Sequence, residues 1–133
     1  MKLDLRVQQQ DSRAIVHVGG EVDVATCPQL RDVLAELVDQ SIYHLVVDLE
    51  KVSFLDSSGI GVLVGVYRRI REHGGSLRLT GPRPAVRRVL ELTKVTTLLP
   101  IHGTVEEATA VEPLDPLRPS APLPPSAFSP DTR

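Results

Sequence analysis

Between residues 45 and 65 the chain reads LVVDLEKVSFLDSSGIGVLVG, and no other stretch constrains the fold as much. It opens on a near-continuous apolar run, Leu45 to Leu49, of the kind found in a strand covered on both faces. It closes on a helical stripe, where Ile60, Leu63, Val64, Tyr67 and Ile70 share one face with Arg68, Arg69 and Arg71 beyond it. A strand that passes straight into a helix returns to its sheet by a crossover, and crossovers make parallel pairs. Between strand and helix sits a small polar knot, Asp56-Ser57-Ser58-Gly59.

The flanking elements extend the same pattern. Leu3, Leu5 and Val7 alternate with polar neighbours, the period of a half-buried strand, and AIVHVGG supplies a second strand across a QQQDSR hairpin turn. Thr26 and Gln29 have capping-box spacing ahead of a helix whose Leu30, Val33, Leu34, Leu37 and Val38 form one apolar face. HGG at 73–75 ends the next helix, and SLRLTG is another strand. Pro84 starts a short helix with Val86, Val89 and Leu90 turned inward. A weak strand is expected around Leu98 to Ile101, and TVEEA offers a capping box for a last short helix. The order β-β-α-β-α-β-α-(β)-α predicts an α/β fold: a mixed sheet of four to five strands, an opening hairpin plus parallel β-α-β units, with about four helices packed on it.

At 133 residues there is room for one ordinary domain. It is expected over residues 1–110. From 111 to 133 seven residues are proline and no apolar period survives, a composition expected to stay disordered. Aromatics make up only 3% and tryptophan is absent, so the core must be aliphatic. Charge is polarised along the chain: residues 1–56 carry ten acids and five bases, whereas residues 57–103 carry two acids and eight bases. Such a split orients a protein partner or simply solvates helix faces. A single cysteine, Cys27, excludes a disulfide framework. The opening MKLDLRVQQQ lacks the apolar stretch of a signal peptide, and no run approaches a membrane span, so a soluble cytoplasmic protein is the expectation, with monomer as the default oligomeric state.

Four kinds of chemistry suit the polar knot. A nucleophilic serine needs a base and a group to orient it, yet His17, His44, His73 and His102 fall on or beside different elements, and the G-x-S-x-G elbow is absent. Gly59, Gly61 and Gly65 approach a dinucleotide fingerprint, but the following strand ends without the acidic residue that would hold a ribose. Their other reading is close approach of helix to sheet. Asp56 or Ser57 suits a helix N-cap, which leaves a hydroxyl to spare. That hydroxyl suits phosphorylation, which adds about −1.5 to −2 charges at the positive end of a helix dipole. No spacing of metal ligands is present, and no cofactor is expected.

GEVDVAT (residues 20–26) together with the stretch from LVVDLEKVSFLDSSG to TTLLPI resembles the STAS domain family, of the bacterial anti-sigma factor antagonist type, from about Leu3 to Ala110. The resemblance implies a partner-switching regulator rather than an enzyme. Unphosphorylated, such an antagonist binds an anti-sigma factor that is also a serine kinase and so frees the sigma factor; phosphorylation of a serine in D-S-S-G releases it, and a serine phosphatase resets it. By position the resemblance makes Ser57 the phosphoacceptor, with Asp56, Ser58, Gly59 and the loop residue Asp23 at the partner-binding surface. Gly59 and Gly61 match positions where the backbone stays uncluttered. Neither direct nucleic-acid binding nor membrane binding is implied. The alternative within the family is an accessory domain of a transporter or a larger signalling assembly, with weak nucleotide binding.

Overall fold

The computed structural model describes residues 2–110; the proline-rich tail expected at 111–133 lies outside the described residues. Five strands and four helices follow one another as β1 (Asp4–Gln10), β2 (Arg13–Val22), α1 (Cys27–Asp39), β3 (His44–Leu55), α2 (Ser57–Arg71), β4 (Ser76–Thr80), α3 (Pro84–Leu92), β5 (Ile101–His102) and α4 (Val105–Ala110). The sheet order is β1-β2-β3-β4-β5. β1 is antiparallel to β2, and every later neighbour is parallel, as the crossovers require.

Alternation along the strands sorts the core onto one face. Ala14, Val16, Val18, Leu45, Val47, Leu77 and Leu79 meet α1, α2 and α3 in a single cluster with Leu30, Leu34, Leu63, Ile70 and Leu90. The opposite face is only partly covered: α4 lays Ala108 and Val105 on Ile15 and Val46. Two-sided burial of the 45–49 run therefore holds at Val46 and lapses at Asp48, which is only partly buried. There a polar chain crosses the open face. Gln8 Oε1 meets His17 Nε2 at 2.7 Å, His17 Nδ1 meets Asp48 Oδ2 at 2.8 Å, and Asp48 Oδ1 accepts from the amide of Glu50 at 3.0 Å.

Three expectations change in detail. The row Leu3, Leu5, Val7 runs from buried to 43% exposed, because the helices cover only the start of β1. The strand expected at Leu98 to Ile101 shrinks to Ile101–His102: Val95–Thr97 forms a 3-10 turn whose Val95 carbonyl accepts from Leu98 and Leu99, and Pro100 has no amide to give a ladder. Thr26 and Gln29 do not form a capping box. Thr26 Oγ1 donates to the Glu21 carbonyl at 2.7 Å, and Gln29 Oε1 accepts from the Leu3 amide at 2.7 Å, tying β1 to α1. Ahead of α4 half of the expected box forms: Thr104 Oγ1 accepts from the Glu107 amide at 3.1 Å, while Glu107 Oε1 accepts at 2.9 Å from the amide of Gly103, one residue before the cap, in place of the Thr104 amide.

Candidate functional site

β2 and β3 leave the sheet side by side, with Val22 opposite Leu55, and the loops that follow them form one corner. β3 reaches that corner by two irregularities. Between His17 and Gly19 of β2 the facing strand advances from Asp48 to Lys51, and between Gly20 and Glu21 it advances from Val52 to Phe54, so β3 holds an extra residue at each place. Bulges of this kind bend and re-aim a strand. Gly20 takes φ +109° here, a value open to glycine. The shift explains why the core residues of β3 change phase from Leu45, Val47 and Leu49 to Val52 and Leu55. The strand then ends with Asp56 at the mouth of α2.

Asp56 is the N-cap, so of the two candidate caps the aspartate takes the position and Ser57 does not. Its backbone is extended, φ −113° and ψ −172°, and its Oδ1 accepts from the amides of Ser58 at 3.0 Å and Gly59 at 3.3 Å. The same oxygen accepts from the Ser58 hydroxyl. That side-chain bond, joined by the two backbone amides and working against partial desolvation, holds the Asp56 carboxyl below its ordinary value of 3.8. An ionised oxygen at the positive end of α2 is the stable state of this corner.

The two serines thus differ. Ser58 is half-buried and its hydroxyl is engaged by Asp56, whereas Ser57 is exposed and its hydroxyl has no hydrogen-bond partner among the described residues. Asp23, in the neighbouring loop, is occupied in shaping that loop: its Oδ1 accepts from the amides of Ala25 at 2.9 Å and Thr26 at 3.0 Å and from Thr26 Oγ1 at 3.1 Å. The Asp56 amide donates to the Val22 carbonyl at 3.2 Å, which pins the two loops together. The structure therefore brings Asp23, Asp56, Ser57, Ser58 and Gly59 to one end of the sheet.

Of Gly59, Gly61 and Gly65, only Gly59 has a packing role. A Cβ on Gly59 would lie 2.5 Å from Leu55 Cδ1 and 2.6 Å from Val22 Cγ1, so the first turn of α2 sits directly on the strand ends. Gly61 and Gly65 face open space, with nothing within 4 Å of an added Cβ, which corrects the close approach expected of them. With Ser57 they form a smooth exposed stripe at four-residue spacing along α2. Two exposed apolar side chains stand at the same corner without a periodic signal in the sequence: Val24, 76% exposed, in the loop after β2, and Phe54, 48% exposed, two residues before the cap. A β3 read only as far as Leu49 hid Phe54, since its exposure depends on the second bulge.

Among the described residues no histidine engages the hydroxyl of Ser57 or Ser58, and His44 Nδ1 meets Ser76 Oγ at 3.0 Å instead. His17 is held by Asp48 and Gln8 on the open sheet face, and His73 stacks on Tyr43 at 4.2 Å. Among the described residues no group of three or more His, Cys, Asp or Glu is placed to hold a metal ion, and no helix is long and apolar enough to cross a membrane.

A family model described as STAS domain matches residues 4–108. The anti-sigma-B factor antagonist of Staphylococcus aureus is 33% identical over 112 residues, 84% of this chain and 100% of that protein. Among solved structures, the crystal structure of an anti-sigma factor antagonist from Mycobacterium paratuberculosis superposes with a TM-score of 0.75 at 30% identity, covering 81% of this chain and 92% of the other. The anti-sigma factor antagonist SpoIIAA in its unphosphorylated form gives a TM-score of 0.71 at 25% identity over 80% of this chain and 93% of that one.

Proposed function

The chain belongs to the STAS domain family, and from that premise we propose that it is an anti-sigma factor antagonist switched off by phosphorylation of Ser57. The partner is an anti-sigma factor with serine kinase activity, and a separate serine phosphatase resets the switch. The protein is the kinase's substrate and turns over nothing itself.

The observation that carries this reading is the unequal fate of two adjacent hydroxyls. Asp56 caps α2 and holds Ser58, while Ser57 stays exposed and without a hydrogen-bond partner among the described residues. A kinase needs the hydroxyl that is free to enter its active site. A phosphate on Ser57 sits at a helix N-terminus, where negative charge is tolerated, so the fold survives. It also sits next to the ionised Asp56, so the corner becomes strongly negative. A repulsion of about 3 kcal/mol at a docked interface weakens binding by roughly two orders of magnitude. That is enough to exchange partners without remodelling the fold.

The docking surface includes Asp23, Asp56, Ser57, Ser58 and Gly59, with Val24 and Phe54 as its apolar anchors. The test is co-purification with serine-kinase anti-sigma factors from the same genome, with ATP and phosphosite mapping by mass spectrometry. Ser57→Ala is expected to bind and to resist phosphorylation, and Ser57→Glu to bind poorly. Phosphate mapped to Ser58 alone, or equal binding by Ser57→Glu, refutes the assignment.

A further inference from the structure

β1 is an edge strand, and its outer side has no partner strand among the described residues. Several of the usual guards of an edge are missing from it. Its seven residues, DLRVQQQ, contain no proline and no lysine, and its pairing with β2 runs without a bulge from Asp4 opposite Gly19 to Gln10 opposite Arg13. Two features of the strand are left incomplete. Asp4 and Arg6, neighbours on the open face, make no ion pair or side-chain hydrogen bond among the described residues. On the other face Val7 is 43% exposed beyond the reach of the helices, although Leu3 in the same row is 6% exposed.

We propose that a second copy of this chain completes β1, pairing antiparallel with it about a two-fold axis at Leu5 to give one continuous sheet. A two-fold axis normal to the sheet keeps the helices of both copies on one side and sets facing residues on the same face. Among registers centred within the strand from Asp4 to Val7, charge decides. An axis at Asp4 sets that carboxylate against its own copy and Lys2 against Arg6. An axis at Arg6 opposes the two guanidiniums. An axis at Val7 faces Arg6 with Gln8 and Asp4 with Gln10, leaving every charge unpaired. Only the axis at Leu5 pairs each Asp4 with the second copy's Arg6, twice over, and it also brings each exposed Val7 against the second copy's Leu3. The proposal replaces the monomer expected from the sequence, and it does not depend on the fate of Ser57.

One strand pair lies at the small end of protein interfaces, so the association is weak and concentration-dependent. Sedimentation equilibrium of the full chain at low ionic strength tests it. The wild type is expected to pass from monomer to dimer as concentration rises, and added salt weakens the dimer. Asp4→Arg and Arg6→Asp each turn two attractions into two repulsions, and each is expected to weaken the dimer about tenfold or more. The double variant Asp4→Arg/Arg6→Asp reverses every pair and restores the wild-type constant. Val7→Lys, at a position already half exposed, abolishes the dimer with an unchanged circular dichroism spectrum. A wild type that stays monomeric at every concentration overturns the proposal. So does a dimer indifferent to the single reversals, or one that the double variant fails to restore.

Discussion

Two glycines of α2 two residues apart should respond in opposite directions to the same substitution. At Gly59 an alanine Cβ would stand 2.5 Å from Leu55 Cδ1 and 2.6 Å from Val22 Cγ1, about 1 Å inside ordinary carbon–carbon contact. Neither neighbour has room to retreat, since Val22 is 0% exposed and Leu55 2%. Overpacking of this kind costs about 1–3 kcal/mol. The better helix propensity of alanine returns at most about 1 kcal/mol, so Gly59→Ala should destabilise by about 1–2 kcal/mol. At Gly61 nothing lies within 4 Å, and Gly61→Ala should stabilise by up to about 1 kcal/mol. With roughly 4 °C per kcal/mol for a domain of this size, the two melting temperatures should differ by about 10 °C. Equilibrium urea unfolding measures the same difference, with an unchanged m-value showing that the end states are the same. A Gly59→Ala protein as stable as wild type, or two shifts of the same sign, would refute the claim that the first turn of α2 rests on the strand ends.

Two further outcomes follow from the same corner. The folded Asp56 carboxyl titrates below its ordinary value of 3.8, so near that value the unfolded chain binds more protons than the folded one. Its contribution is therefore complete above 3.8 and is lost as pH falls through the folded value. Asp56→Asn keeps an oxygen for the Ser58 and Gly59 amides but does not titrate, so the gap in melting temperature between wild type and variant should narrow on going from about pH 6 to about pH 3; a constant gap contradicts it. Phe54→Ala removes a side chain 48% exposed and should leave the melting temperature nearly unchanged. If Phe54 anchors the partner, as proposed, affinity for the anti-sigma factor falls about tenfold or more; equal binding in a co-purification titration argues against that role.

Most of the fold was legible because periodicity and crossover connections are local. The apolar stripes of α1 and α3 stand where their spacing put them, that of α2 does so except that Val66 is buried while Val64 and Tyr67 are only partly so, and the strand-helix-strand alternation required the parallel pairs. What escaped depends on distant partners. Thr26 and Gln29 have the spacing of a capping box, yet the Asp23 amide takes Thr26 Oγ1 and the Leu3 amide takes Gln29 Oε1, the two oxygens the box would need. The exposure of Val7 depends on how far the helices extend over β1, which alternation alone does not report. The extra residues of β3 depend on its register against β2, and no residue of LEKVSFL signals them.

The site shows the same division more sharply. Sequence placed an aspartate and two serines at the start of a helix, and capping preferences admit either Asp56 or Ser57 at the cap. Which hydroxyl is left over then depends on a single choice of backbone conformation. The bulges deliver Asp56 in an extended conformation, and from there its one oxygen reaches the Ser58 and Gly59 amides and the Ser58 hydroxyl together. Had Ser57 been the cap, its own oxygen would have been spent on the helix amides. The register of β3 against β2 therefore decides which of the two hydroxyls stays exposed and without a hydrogen-bond partner among the described residues. An alteration that removes one bulge, such as deleting Ser53, should misplace the cap before it unfolds the domain; if Ser57 is the phosphoacceptor, as proposed, mass spectrometry after incubation with the kinase should then find no phosphate there, even though Asp56-Ser57-Ser58-Gly59 remains intact in the chain.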